Sequence, residues 1–106
     1  MEKRAVLICF NVRSEKFDSN YERNKFFRGL YGWKQMIRKE MADGEEKTYV
    51  YERSGLLDEI PHKKVDQSSF FINADDADEI FRFFEEWIDK VMFNSFKVIL
   101  EDDIFE

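Results

Sequence analysis

From Arg4 to Val12 the chain is almost unbroken in apolar residues: Ala5, Val6, Leu7, Ile8, Cys9, Phe10 and Val12. Successive side chains of a strand point to opposite faces, so a run of this kind predicts a strand sheltered on both sides, in the middle of a sheet. Asp18, Ser19 and Asn20 then offer helix N-caps, and Phe26, Leu30, Trp33 and Ile37 recur at helical spacing, which predicts a helix over about 19 to 41. Gly29 and Gly32 interrupt that stretch, each at a cost of about 1 kcal/mol relative to Ala. The same residues therefore also fit a helix that ends near Gly32 and a strand from Trp33 to Lys39.

Asp43-Gly44 is a turn signal, and Tyr49, Val50 and Tyr51 give residues Lys47 to Arg53 a strong strand preference, with an edge position expected. Leu56 to Gln67, with the single proline Pro61, reads as a polar loop. Ser68 to Asn73 is short and apolar on both faces, a second buried strand. Asp75 or Asp76 can cap the next element, where Ile80, Phe83, Phe84, Trp87, Ile88 and Val91 mark one face of a helix over about 76 to 92. Alternation from Phe96 to Glu101 predicts a last strand before an acidic tail. Strand, helix, strand, strand, helix, strand is the order of the ferredoxin-like βαββαβ fold, a four-stranded antiparallel sheet with two helices on one face. The expectation is one α+β domain over residues 1–106, its first and third strands central.

A chain of 106 residues can bury one core. Eighteen aromatics exceed what that core is expected to hold, so some are candidates for an interface. No apolar run reaches the roughly 18 residues of a membrane span, and Met1 to Val12 lacks a small-residue cleavage site. Cys9 is the single cysteine, so no internal disulfide is available. These features favour a cytoplasmic protein without a membrane partner. The net charge of -6 hides an asymmetry, because residues 1–39 hold ten Lys/Arg against four acids and the remainder is strongly acidic. Such a division either builds a basic face on an acidic protein or lets the two halves attract one another.

Few residues point to chemistry. His62 lies in the predicted loop without a recognisable nucleophile, and Cys9 sits in a strand expected to bury it. Helix capping accounts for Asp75, Asp76, Asp78 and Glu79, and a solvated chain end accounts for Glu101, Asp102 and Asp103, so neither a metal nor a cofactor is expected. The basic residues Arg13, Arg23, Lys25, Arg28, Lys34 and Arg38 are interleaved with Tyr21, Tyr31 and Trp33. Cations meet phosphates and aromatics stack on unpaired bases, which makes this set a candidate surface for nucleic acid or a protein partner. Tyr49 and Tyr51 are candidates for an interface between subunits.

The first strand ending at Phe10-Asn11-Val12, the basic helix running to Leu30 and Gly32, and Val50-Tyr51-Glu52 followed by Gly55 and Leu56 resemble the small CRISPR-associated subunit that partners the spacer integrase, a family of ferredoxin-like dimers. The resemblance spans residues 4–56. Members carry an aspartate, associated with divalent metal and nuclease activity, where this chain has Asn11. An amide cannot supply the negative charge that a metal-activated water needs from that ligand, so the resemblance implies a dimeric binding scaffold more readily than a nuclease. Three readings stand at this level. The first is a noncatalytic, homodimeric interaction module. The second is a metal-dependent nuclease with Asn11 and Arg13 near its centre, and the third an acidic mimic of nucleic acid that occupies a basic protein.

Overall fold

The computed structural model describes residues 3–105. Its strands are β1 (Lys3–Val12), β2 (Trp33–Glu40), β3 (Glu46–Arg53), β4 (His62–Asp66), β5 (Ser69–Asn73) and β6 (Val91–Leu100), and its helices are α1 (Asn20–Tyr31) and α2 (Ala77–Glu86). The result is a mixed α+β structure with a four-stranded antiparallel sheet, a separate two-stranded sheet and two helices. The larger sheet has the order β4-β5-β1-β6. Its inner strands are β1 and β5, the two segments that are apolar on both faces. Leu7 of β1 stands opposite Phe71 of β5 on one side and Phe96 of β6 on the other.

One face of this sheet is the floor of the core. Val6, Ile8 and Phe10 of β1, Phe70 and Ile72 of β5, and Val91 of β6 cluster with Phe26 and Leu30 of α1 and with Ile80 and Phe84 of α2. Phe26 is fully buried at the centre, with the rings of Phe10, Phe17, Phe27, Phe83, Phe84 and Trp87 at centroid distances of 5.1 to 6.4 Å. Most of these pairs meet edge to face or tilted, the arrangements that ring quadrupoles favour.

The first helix begins as its caps predict. Ser19 Oγ accepts from the Glu22 backbone N–H at 3.2 Å, and Glu22 reaches back to the Asp18 N–H at 3.1 Å, so two donors that the first turn leaves unpaired are satisfied. It does not run to residue 41. Gly32 takes φ of 80° and donates its N–H to the Arg28 carbonyl at 2.8 Å, and the residues beyond it form β2. A side chain at that φ is strained, which glycine avoids.

Three further expectations are corrected. The 56–67 segment is not a plain polar loop: it holds a short 3-10 turn (Leu56–Glu59) that buries Leu57, then Ile60, and then the edge strand β4. The 47–53 strand is not an edge of the main sheet but half of the separate hairpin β2–β3. Finally, α2 stops at Glu86 and β6 starts at Val91 rather than 96, because Val91 is fully buried beside Val12 while its N–H still bonds the Trp87 carbonyl.

The hairpin β2–β3 projects from the rest of the chain. Every residue of β3 is exposed. The radius of gyration is 17.5 Å and the extents are 60 × 36 × 20 Å, whereas a compact chain of this length has a radius near 13 Å by the usual scaling, roughly. The accessible surface of 7958 Å² likewise exceeds the roughly 6,300 Å² of a compact monomer of this mass.

Candidate interaction surfaces

The base of the ribbon is pinned where Gly32 and Gly55 touch. A Cβ placed on Gly55 would collide with the Gly32 nitrogen and lie 2.6 Å and 2.7 Å from the backbone carbonyl carbons of Tyr31 and Leu30. These are backbone atoms of a helix end and cannot move aside alone. Asp58 Oδ2 accepts the Gly55 N–H at 2.8 Å, which closes the junction. Gly55→Ala is expected to lower stability by about 1–3 kcal/mol, the range of overpacking at a tight contact, read as a fall in the denaturant midpoint with an unchanged slope. Beside the junction lies a cleft of about 500 Å³ lined by Tyr31, Trp33, Lys34, Glu52, Arg53 and Asp58.

Register divides the ribbon into two unlike faces. Trp33, Gln35, Ile37 and Lys39 share one face with Arg53, Tyr51, Tyr49 and Lys47, while Lys34, Met36, Arg38 and Glu40 share the other with Glu52, Val50, Thr48 and Glu46. On the first face Arg28, reaching from α1, stacks 4.0 Å from the Trp33 ring centroid, Arg53 lies 5.4 Å from that of Tyr51, and Lys39 lies 5.6 Å from that of Tyr49. Arg53 Nε also donates to Gln35 Oε1 at 2.9 Å. Five acids belong to residues 33–53: Glu40, Glu46 and Glu52 stand on the second face, and Asp43 and Glu45 in the turn.

The six cations singled out in the sequence are not brought onto one surface. Arg13 follows β1, where its N–H bonds the Lys90 carbonyl at 2.8 Å. Arg23, Lys25 and Arg28 are on α1, with Arg23 5.0 Å over the Phe27 ring. Lys34 and Arg38 belong to β2 rather than to the helix and point to the ribbon face opposite Trp33. Tyr49 and Tyr51 are 37% and 40% exposed on the aromatic face. Mutual attraction of the two halves is little realised in direct contacts. Of the cations in residues 1–39, Lys3 alone forms an ion pair among the described residues, with Asp103 at 2.8 Å; the remaining bridges join Lys90 to Glu22 and to Asp18.

The titratable groups that shift do so for structural reasons. The Lys90 hydrogen bond holds Glu22 below the usual carboxylate range, and Glu22 in turn raises Lys90. Tyr31 is pushed up to about 12 by burial first and the Asp66 charge second; its hydroxyl donates to the Gln67 carbonyl at 2.6 Å and ties the end of α1 to the β4–β5 turn. Asp66 is lowered by the Ser68 N–H and the Ser69 hydroxyl. His62 is half-buried with Nδ1 2.9 Å from the Ile60 carbonyl, and Asn11 is exposed opposite Met92. Among the described residues no three His, Cys, Asp or Glu side chains converge as a metal ion would need, and no helix is long and apolar enough to cross a membrane.

The face of the large sheet turned away from the helices is a surface that sequence reasoning did not resolve into residues. By register it carries Ala5, Leu7, Cys9 and Asn11 of β1, Ser69, Phe71 and Asn73 of β5, and Met92, Asn94, Phe96, Val98 and Leu100 of β6. None of these twelve is charged, in a chain whose residues are 38% charged; the same register puts two cations on the face at its margins, Lys3 opposite Leu100 and Lys63 opposite Phe71. Leu7, Phe71 and Phe96 form a row across three strands, and Phe96 and Met92 are each 51% exposed. Charge returns at the border, with Lys63 of β4 opposite Phe71 and Lys3 bridged to Asp103. Comparison of the chain with protein-family models, with curated proteins and with solved structures finds no match.

Proposed function

We propose that the chain is a noncatalytic interaction module that works as a homodimer, joined across the helix-free face of its large sheet, with its basic and aromatic residues left to contact nucleic acid or a protein partner. Its frame, in this reading, is ferredoxin-like βαββαβ with a ribbon inserted. What supports this reading is that, with β2 and β3 set aside, β1, α1, β4, β5, α2 and β6 run strand, helix, strand, strand, helix, strand, with β4 in the position expected for residues 47–53, and that β1 and β5 are the inner strands of the order β4-β5-β1-β6. Dimerisation also agrees with the scaffold that the resemblance of residues 4–56 implies.

The observation that carries the proposal is the uncharged row of Leu7, Phe71 and Phe96 with its neutral surroundings. A protein of net charge -6 repels its own copy over most of its surface, and a two-fold interface sets one patch against itself. A face whose centre is neutral and apolar meets that condition, with its cations Lys3 and Lys63 kept to the margins. The patch covers roughly 450 Å² in projection by ordinary strand dimensions, more than half of the about 800 Å² each partner gives to a standard interface. The border of Lys63, Lys3 and Asp103 supplies the polar rim such interfaces carry. Sedimentation equilibrium tests the proposal: the expected mass is twice the 12.9 kDa of one chain, and a single-chain mass at high protein concentration would overturn it.

A further inference from the structure

We infer that the aromatic face of the β2–β3 ribbon binds single-stranded nucleic acid. The inference rests on the reading of the chain as an interaction module and adds what the ribbon takes. An isolated two-stranded hairpin is marginal in water, and this one has no core beneath it. Its two faces nonetheless differ sharply in chemistry. One carries Trp33, Tyr49 and Tyr51 with Lys39, Lys47 and Arg53, joined by Arg28, and no carboxylate; the acids of the ribbon lie on the opposite face and in its turn.

Each aromatic ring of that face has a cation beside it: Arg28 over Trp33, Arg53 over Tyr51 and Lys39 over Tyr49. Along about 20 Å of strand, from Trp33 to Lys39, the rings of Trp33, Tyr51 and Tyr49 follow one another between Arg28 and Arg53 at the base and Lys39 and Lys47 at the far end. An extended strand of nucleic acid offers the complementary series, phosphates for the cations and unpaired bases for the rings and guanidinium planes. A protein partner with an acidic tail would match the charges but leave the rings without stacking partners. A duplex entered tip first would bring Asp43 and Glu45 toward its phosphates, whereas a single strand laid along the face avoids the turn.

The test is fluorescence anisotropy of the full chain with labelled oligo-dT and oligo-U 12-mers, and with a 12-base-pair duplex, at 50 and 200 mM salt. Three or four phosphate contacts give a salt slope that weakens single-strand binding about 20- to 50-fold between these concentrations. Tyr49→Leu with Tyr51→Leu is expected to lower affinity at least tenfold, by the usual worth of base stacking, roughly. Lys39→Gln with Lys47→Gln, which leaves the rings in place, should reduce the salt slope by about 1.4, and Met36→Ser on the opposite face should change neither quantity. Single-strand binding absent at 50 mM salt, duplex preferred over single strand, or both double variants binding as wild type would overturn the inference. Sedimentation of the same samples separates the two proposals: a dimer that ignores single strands removes this one alone, and a monomer whose ribbon binds them removes the dimer alone.

Discussion

Phe96→Glu is expected to convert the proposed dimer to single chains, seen by sedimentation as half the mass that the proposal gives the wild type at the same concentration. Phe96 is half exposed in one chain and lies in a row with Leu7 and Phe71. In a two-fold interface the substitution enters twice, so two carboxylates are desolvated within a face whose cations, Lys3 and Lys63, stand at its margins, with Leu7 and Phe71 between Lys63 and position 96. Stranding a charge in an interface costs about 2–5 kcal/mol, so the pair weakens association by at least about 4 kcal/mol, close to a thousandfold. Because Phe96 points away from Phe26, Ile80 and Phe84, the isolated chain should keep its stability within about 0.5 kcal/mol, the usual range for surface positions.

Phe26→Ala is expected to act the other way, on the chain itself. Its ring is fully buried and joins α1, on which it stands, to the sheet, to α2 and its C-terminal end, and to the segment before α1 through Phe10, Phe83, Phe84, Trp87 and Phe17. Large-to-small changes of this type lose about 3–5 kcal/mol, transfer energy and cavity together, which is a large part of the about 5–15 kcal/mol a domain has in reserve. A midpoint of thermal unfolding lowered by about 15 °C or more is the expected reading. A shift of only a few degrees would mean that the ring cluster is not the centre of the core.

The sequence marked β1, β5 and α2 clearly for a physical reason: apolar residues on both faces of a short run, or on one face at helical spacing, leave few alternatives. It did not separate α1 from β2, because Trp33 and Ile37 continue the helical spacing of Phe26 and Leu30 while also standing two apart from Gln35 on one face of a strand. The deciding contact is Gly32 against Gly55, distant in sequence, and local pattern holds no trace of it. β4 was missed because an edge strand can be polar, and His62-Lys63-Lys64-Val65-Asp66 has no alternation to read.

The candidate surfaces were legible only in part. Cations and aromatics are visible as types, but the sequence does not separate Lys34 and Arg38 from Arg28, whereas the register of β2 puts them behind Trp33. Nor does the sequence distinguish Leu7 from Ile8. One faces away from the helices and the other is fully buried against them, a difference that exists only once the helices have chosen a side of the sheet.

Cys9 allows the proposed dimer face to be probed without altering it, since the single thiol is half-buried on that face opposite Ser69 and Asn94. The direct measurement is the rate of its reaction with a small disulfide reagent across a dilution series. The rate should fall as concentration rises, in step with the fraction of paired chains, and become independent of concentration in Phe96→Glu. A rate that stays constant for the wild type while the mass doubles would place the partner on some other surface.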